Sequence, residues 1–339
     1  MRFICVSFCV ILSAAAAQGF SVGDHQTITE LAFAELNECG MLPAALHRNT
    51  DNGEHARDVV VGYNLREDNY LVNGIKKLFV YSHFYNPMRP LRPEWQGRQN
   101  AAYAVIDYSA HLARRYNRDS GNPASDAVLQ DLGKIVHLVQ DASSAPHVLW
   151  VNHGLADGFE NRVNIKKSDL EESKFSCADI SVAGLKSPLE IMKAAGVATM
   201  KELQELVEFE EIQPDGSEPK VTLAPWSQTY FSNDAVYTQK VSDYLRNYNY
   251  FKPDLNSPTT DDNGNEGWDQ KLLGRGEYGP FSDGIPNILI RGDNFGRSGV
   301  IDVKGKKIRV ENEQFKKLKK VLMRQAVLST QRVLLLLNE

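Results

Sequence analysis

One stretch constrains this chain more than any other: Gly133-Lys134-Ile135-Val136-His137-Leu138-Val139-Gln140-Asp141-Ala142-Ser143-Ser144-Ala145-Pro146-His147. Leu129, Leu132, Val136 and Val139 recur at helical spacing, with Asp126 marking the start of the segment and Pro146 its end. On that helix His137 and Asp141 are four residues apart and share one face. His147 follows just past the proline, where the chain can turn back toward the same face. Two imidazoles and a carboxylate so arranged can grip one or two zinc ions. A lone helical histidine is ordinarily a packed or solvated residue, so the argument rests on company. Of eight histidines, His25, His83, His137, His147 and His153 can be fitted to a single site.

The 339 residues are 42% hydrophobic and 24% charged, enough apolar mass for one large domain or two smaller ones. A net charge of -5 argues against a broad nucleic-acid footprint, which needs a basic face, yet leaves room for a metal-centred site that binds phosphate. Residues 1–19 read as a secretory signal: Arg2, an apolar run from Phe3 to Leu12, then small residues from Ser13 to Gly19. That run is too short to span a bilayer, and no other segment approaches a membrane-spanning length. The mature protein is therefore expected to be soluble and exported, beginning at Phe20, with a cut after Ala17 as the alternative. Cys5 and Cys9 leave with the signal, so Cys39 and Cys177 remain as one disulfide or two free thiols.

Asp24 to Glu38 reads as a helix capped by Asp24, with Ile28, Leu31, Ala32 and Leu36 buried and Gly40 as its stop. His25 lies in its first turn, close enough to a free Phe20 amine and carbonyl for the three groups to chelate a metal; an ordinary first-turn histidine is the plainer reading. His47 and His55 sit among the polar turn residues of Leu42 to Val61 and read as surface. Asp68 and His83 are fifteen residues apart, beyond the reach of any local pattern. Trp95 to Tyr116 is the next helix, with His111 solvated beside Arg114 and Arg115. After His147, Asp157 and Glu160 open another helix, either as a cap and its partner or as a carboxylate that joins His153 on a metal. Helical patterns follow from Leu189 to Ala195, from Met200 to Phe209 with Glu202 to Glu211 as a solvated face, and from Trp226 to Tyr250. Asn287 to Ile290, Gly299 to Val303 and Lys306 to Val310 suggest a small β-hairpin region. Gln314 to Leu337 closes the chain as a helix whose Lys316, Lys317, Lys319 and Lys320 form a solvated face. The expected fold is mainly all-α: a helical body of residues 20–251 and 312–339, interrupted by a loop and β-hairpin insertion over 252–311.

The spacing His137-x-x-x-Asp141-x-x-x-x-x-His147, set in the phrase quoted above, resembles the core motif of the exported zinc-dependent phospholipases C and of the single-strand-specific zinc nucleases that share their fold. By motif the resemblance covers Phe20 to Val163, and by helical character alone the rest. It implies an all-helical domain with three zinc ions. Phe20 and His25 would bind one ion; Asp68, His83 and His137 a second, bridged to the first by Asp141; and His147, His153 and Glu160, or Asp157 in its place, the third. The family usually begins with Trp where Phe20 stands, and the gap from His147 to His153 is shorter than in its best-known members.

The activity implied is zinc-dependent phosphodiester hydrolysis, with Asp141 holding the attacking group and Asp68 as general base or water-orienting carboxylate. A phospholipase C releasing a phosphorylated head group is the first expectation. A nuclease acting on single-stranded nucleic acid is the alternative, and a secreted zinc module without turnover the third. The protein is expected to be a secreted or periplasmic monomer that touches membrane surface transiently and keeps no stable nucleic-acid partner.

Overall fold

Local capping chemistry starts the first helix, α1 (Val22–Glu38). The Ser21 hydroxyl accepts from the Asp24 amide, and the Asp24 carboxylate accepts from the Ser21 amide, each at 3.2 Å. Ser21 is thus the cap and Asp24 its partner, a correction to the expectation that Asp24 itself caps. Gly40, at φ 65°, ends the helix in the left-handed region that glycine adopts most readily. The computed structural model describes residues 20–68, 101–119, 121–149, 163–180, 185–226, 299–303 and 306–338, with His83, Tyr85, Pro87 and Phe159. The signal segment, Trp95 to Asn100, Asp157, Glu160, the pattern from Ser227 to Tyr250 and the strand expected at Asn287 to Ile290 lie outside these residues.

Eight α-helices and a small sheet make up the described fold. After α1 come α2 (Ala56–Glu67), α3 (Ala101–Arg118), α4 (Asp126–Asp141), α5 (Ala145–Leu149), α6 (Lys167–Glu171) and α7 (Pro188–Gln204). Strands β1 (Leu206–Ile212), β2 (Lys220–Pro225), β3 (Gly299–Val303) and β4 (Lys306–Val310) precede the long closing helix α8 (Asn312–Leu335). The central phrase divides where its chemistry changes: α4 starts at its cap Ser125 and stops at Asp141, and Pro146 lies in the first turn of α5 rather than at the end of α4. A proline there loses no helical hydrogen bond, because first-turn amides have no partner within the helix.

Helix α4 is the centre of the body, packed against α2, α3, α7 and α8, while α1 packs on α2 and α8. Every residue from Ile135 to Val148 is buried, the polar ones included. Helix α2 was not anticipated, since Leu42 to Val61 reads as polar turns; its buried positions Ala56, Val59, Val60, Asn64 and Glu67 follow helical spacing but end in polar side chains.

The sheet corrects a second reading. Helix α7 stops at Gln204, Glu205 is extended at ψ 136°, and β1 occupies residues read as helix to Phe209. Val207 and Phe209 alternate with Leu206, Glu208 and Glu210, the two-residue period of a strand. Phe209 is buried edge-on against Trp226, with ring centroids 5.4 Å apart. The hairpin of β3 and β4 stands where it was expected, and β4 extends it by pairing Glu210 with Arg309 and Ile212 with Lys307, giving an antiparallel sheet in the order β2-β1-β4-β3.

Three links described here fasten α1 to later parts of the chain. Cys39 and Cys177 are joined in a disulfide. Arg324 of α8 grips Glu35 through two bonds of 2.6 and 3.1 Å, and Gln331 donates to the same carboxylate at 2.8 Å. Lys319, expected on a solvated face, is 1% exposed, with its ammonium 2.8 Å from Asp24 and 2.7 Å from the carbonyl of Val163. Four lysines in a row of five residues cannot all face water on a helix packed along one side, and Lys319 lies one residue from buried Leu318.

Candidate metal centre

Helix ends and one connecting segment bring six ionisable side chains to one buried point. The first turn of α1 supplies His25, the C-cap of α2 Asp68, the last two turns of α4 His137 and Asp141, and α5 His147. His83 comes from the segment between α2 and α3. Phe20 is fully buried, its ring edge-on to His25 with centroids 5.9 Å apart. His153 and Glu160 lie outside the described residues. His47, His55 and His111 are exposed, as their settings implied.

Asp141 is the hub. Its Oδ1 lies 3.4 Å from His25 Nε2, whereas its Oδ2 lies 2.8 Å from His83 Nδ1, 3.2 Å from His137 Nε2 and 3.5 Å from His147 Nδ1. Asp68 faces the same space, Oδ1 at 3.4 Å from His137 Nε2 and Oδ2 at 3.8 Å from His25 Nε2. His83 Nδ1 and His137 Nε2 stand 3.0 Å apart. Ligand atoms at ~2.0–2.1 Å from a tetrahedral zinc are about 3.3 Å from one another, so this spacing suits donors around an ion. Among the described residues two sets meet that description, His25 with Asp68 and His137, and His83 with His137 and Asp141.

The polar accounting agrees. His25 Nε2, both oxygens of Asp68 and Oδ1 of Asp141 are buried without a hydrogen-bond partner among the described residues. Each such group costs roughly 1–3 kcal/mol if nothing else satisfies it. The outer nitrogens of the imidazoles are occupied: His25 Nδ1 lies 2.6 Å from Gln140 Oε1, His137 Nδ1 is 3.0 Å from Asn64 Oδ1, and His147 Nδ1 is 2.8 Å from the carbonyl of His83. Metal-binding histidines are held in this way, with one nitrogen on the protein and the other toward the ion.

No family model, curated protein or solved structure matches the chain. The centre therefore has to be read from its own geometry.

Charge is tightly shared there. Burial works to raise the Asp68 carboxyl, but the imidazoles of His137, His25 and His83 outweigh it and hold the group below the usual carboxylate value. Asp141 is driven well below that value against the same burial cost, by His147 and His137. Burial would lower the His137 imidazole, yet Asp141 and Asp68 hold it well above its ordinary 6.5. These buried histidine and aspartate groups can hold a metal ion.

Asn64, Gln140 and Thr29, which surround the imidazoles, were not singled out in the sequence. Buried amides and hydroxyls leave no spacing signal, and only the juxtaposition of α1, α2 and α4 reveals them.

Proposed function

We propose that the chain is an exported zinc-dependent phosphodiester hydrolase. The observation that carries this reading is the set of buried, unpartnered donor atoms on His25, Asp68 and Asp141, facing one another across tetrahedral ligand distances. The donor chemistry, imidazole nitrogen with carboxylate oxygen, suits zinc. His25, Asp68, His83, His137 and Asp141 would hold two ions, with Asp141 offering one oxygen to each side. A mature Phe20 amine beside His25 would complete the first set, and His147, with His153 and Glu160, would hold a third ion. Zinc in such a site would make a water nucleophile available near neutral pH and would stabilise charge on a phosphoryl oxygen.

The residues around it orient and exclude. The low-lying carboxyl of Asp68 stays ionised at neutral pH, which suits it to accept a hydrogen bond from attacking water and fix its direction more than to store a proton. One oxygen of Asp141 is hydrogen-bonded to His83 and packed beside His137 and His147, and the other is turned toward His25, an arrangement that fixes its position as charge develops.

A lipid phosphodiester is the preferred substrate. Leu206, Val221, Leu223 and Val300 are exposed, and the register puts them on one face of the sheet together with Glu208, Glu210 and Arg309, a mixture that suits an interfacial surface better than a polyanion. No helix among the described residues is long and apolar enough to cross a membrane, so contact would be peripheral.

The test uses secreted protein whose terminus has been read by mass spectrometry. Chelator-sensitive release of phosphorylated head group from phosphatidylcholine vesicles, lost together with bound zinc in His137→Ala, is the expected result. Cleavage of single-stranded DNA without lipid hydrolysis would transfer the same centre to a nuclease. Bound zinc with neither activity would leave a non-catalytic zinc module.

A further inference from the structure

The two imidazoles that face Asp68 from α1 and α4 are governed by a residue that touches neither ring. Thr29, one turn after His25, is fully buried and donates its only hydroxyl proton to the carbonyl of His25, at 2.8 Å. Its oxygen can therefore only accept from the other neighbours. Asn64 Nδ2 and Gln140 Nε2 lie 2.6 and 2.9 Å away, so both amides must turn their nitrogens toward Thr29. Gln140 spends its second N–H on Thr330 Oγ1 at 3.0 Å, and Asn64 spends its second on Gln140 Oε1 at 3.1 Å.

With both nitrogens committed, the amide oxygens face the histidines. Gln140 Oε1 accepts from His25 Nδ1 at 2.6 Å and Asn64 Oδ1 from His137 Nδ1 at 3.0 Å. Each imidazole, when neutral, must then carry its proton on Nδ1 and present a bare Nε2 to the carboxylates. We infer that Thr29 is a positioning residue which, through Asn64 and Gln140, sets the tautomers of His25 and His137 together and makes both metal-competent at once. Because Gln140 Oε1 serves His25 and Asn64 alike, neither amide can turn alone, and the two metal-facing nitrogens are coupled. The part of this inference that concerns metal affinity rests on the zinc reading above; the tautomers do not.

Histidine ¹⁵N NMR of the metal-free protein, at a pH high enough that both imidazoles are neutral, reads the tautomers directly. Wild-type protein is expected to show Nδ1–H at His25 and His137, and Nε2–H at either would overturn the inference without any variant. Thr29→Val keeps the shape and removes the hydroxyl; it is expected to mix the tautomers at both histidines and to weaken zinc binding in calorimetry about 10–100-fold. Thr29→Ser, which retains the hydroxyl, is expected to restore both. Wild-type tautomers and affinity in Thr29→Val would refute the role. If wild-type protein binds no zinc, the proposed function falls, while the NMR result still decides the relay.

Discussion

Gly133 lies one turn before His137 on α4, where the α4 backbone packs against α2. A methyl group there would stand 2.6 Å from the carbonyl oxygen of Val60, 2.8 Å from Tyr63 Cβ and 3.1 Å from the amide of Asn64. The first distance is about 0.8 Å inside the 3.4 Å at which ordinary contact begins, and the obstacle is backbone, which cannot swing aside as a side chain would. Gly133→Ala must push α2 away from α4, carrying Asn64 and Asp68 with it. Overpacking of this kind costs ~1–3 kcal/mol, against a gain of ~0.8–1 kcal/mol from replacing a helical glycine. The net loss is ~0–2 kcal/mol, read as a fall of up to a few degrees in Tm of the metal-free protein. The effect on metal should be larger than the effect on stability, because Asp68 and the acceptor of His137 Nδ1 move together; a tenfold or greater loss of zinc affinity is expected in calorimetry, equivalent to ~1.4 kcal/mol. Gly62→Ala is the control, since a methyl there meets nothing within 4 Å and should leave stability unchanged or raised. If Gly133→Ala behaves like Gly62→Ala in both assays, the close crossing does not position the site.

Other consequences are as direct. Arg324→Ala would strand the buried Glu35 carboxylate and is expected to destabilise by ~3–5 kcal/mol in denaturant unfolding, whereas joint replacement of both residues by apolar ones should recover much of the loss. Reducing Cys39–Cys177, which closes a separation of 138 residues, should cost up to about 5 kcal/mol on the chain-entropy account, measured as the shift in unfolding midpoint with and without reductant. The metal-free protein should respond to pH in two opposite ways. The raised His137 contributes stability fully below its ordinary 6.5 and loses it as pH climbs through the raised value, while the depressed Asp141 contributes above its ordinary 3.8 and loses it as pH falls through the lowered one. Thermal stability without metal should therefore be best between about 4 and 6.5, and zinc, which must displace the His137 proton, should bind more tightly as pH rises through neutrality with at least one proton released.

The parts of the fold that sequence made legible are those where burial and polarity coincide. Leu129, Leu132, Val136 and Val139 mark α4 because they recur at helical spacing along its buried side, and the His137–Asp141 pair follows from the same spacing. The β3–β4 hairpin and the start of α7 at Ser187 are equally local, set by a turn and a cap. Helix α2 was hidden because Asn64 and Glu67 occupy buried positions where an apolar stripe would have continued. Strand β1 reads as helix in the sequence because Glu residues line it, and its pairing with β4 joins Glu210 to Arg309, 99 residues on. Lys319 looks like its neighbours in composition; its burial depends on Asp24, at the opposite end of the described chain. Of the centre itself, Asp68 and His83 have no local signature, since fifteen residues separate them and only the packing around α4 brings them to one point.

The contact between Gln140 and Thr330 also has a bearing on the order in which the protein is made. A growing chain holds His25, Asp68, His83, His137, Asp141 and His147 long before residue 330 is synthesised, yet Gln140 lacks one of its acceptors, and α1 lacks Arg324 and Lys319, until α8 docks. Metal captured earlier would meet ligands whose orientation is not yet set. Any metal loading would therefore follow the docking of α8, and a product truncated within α8 would carry all six side chains and still assemble a poor site.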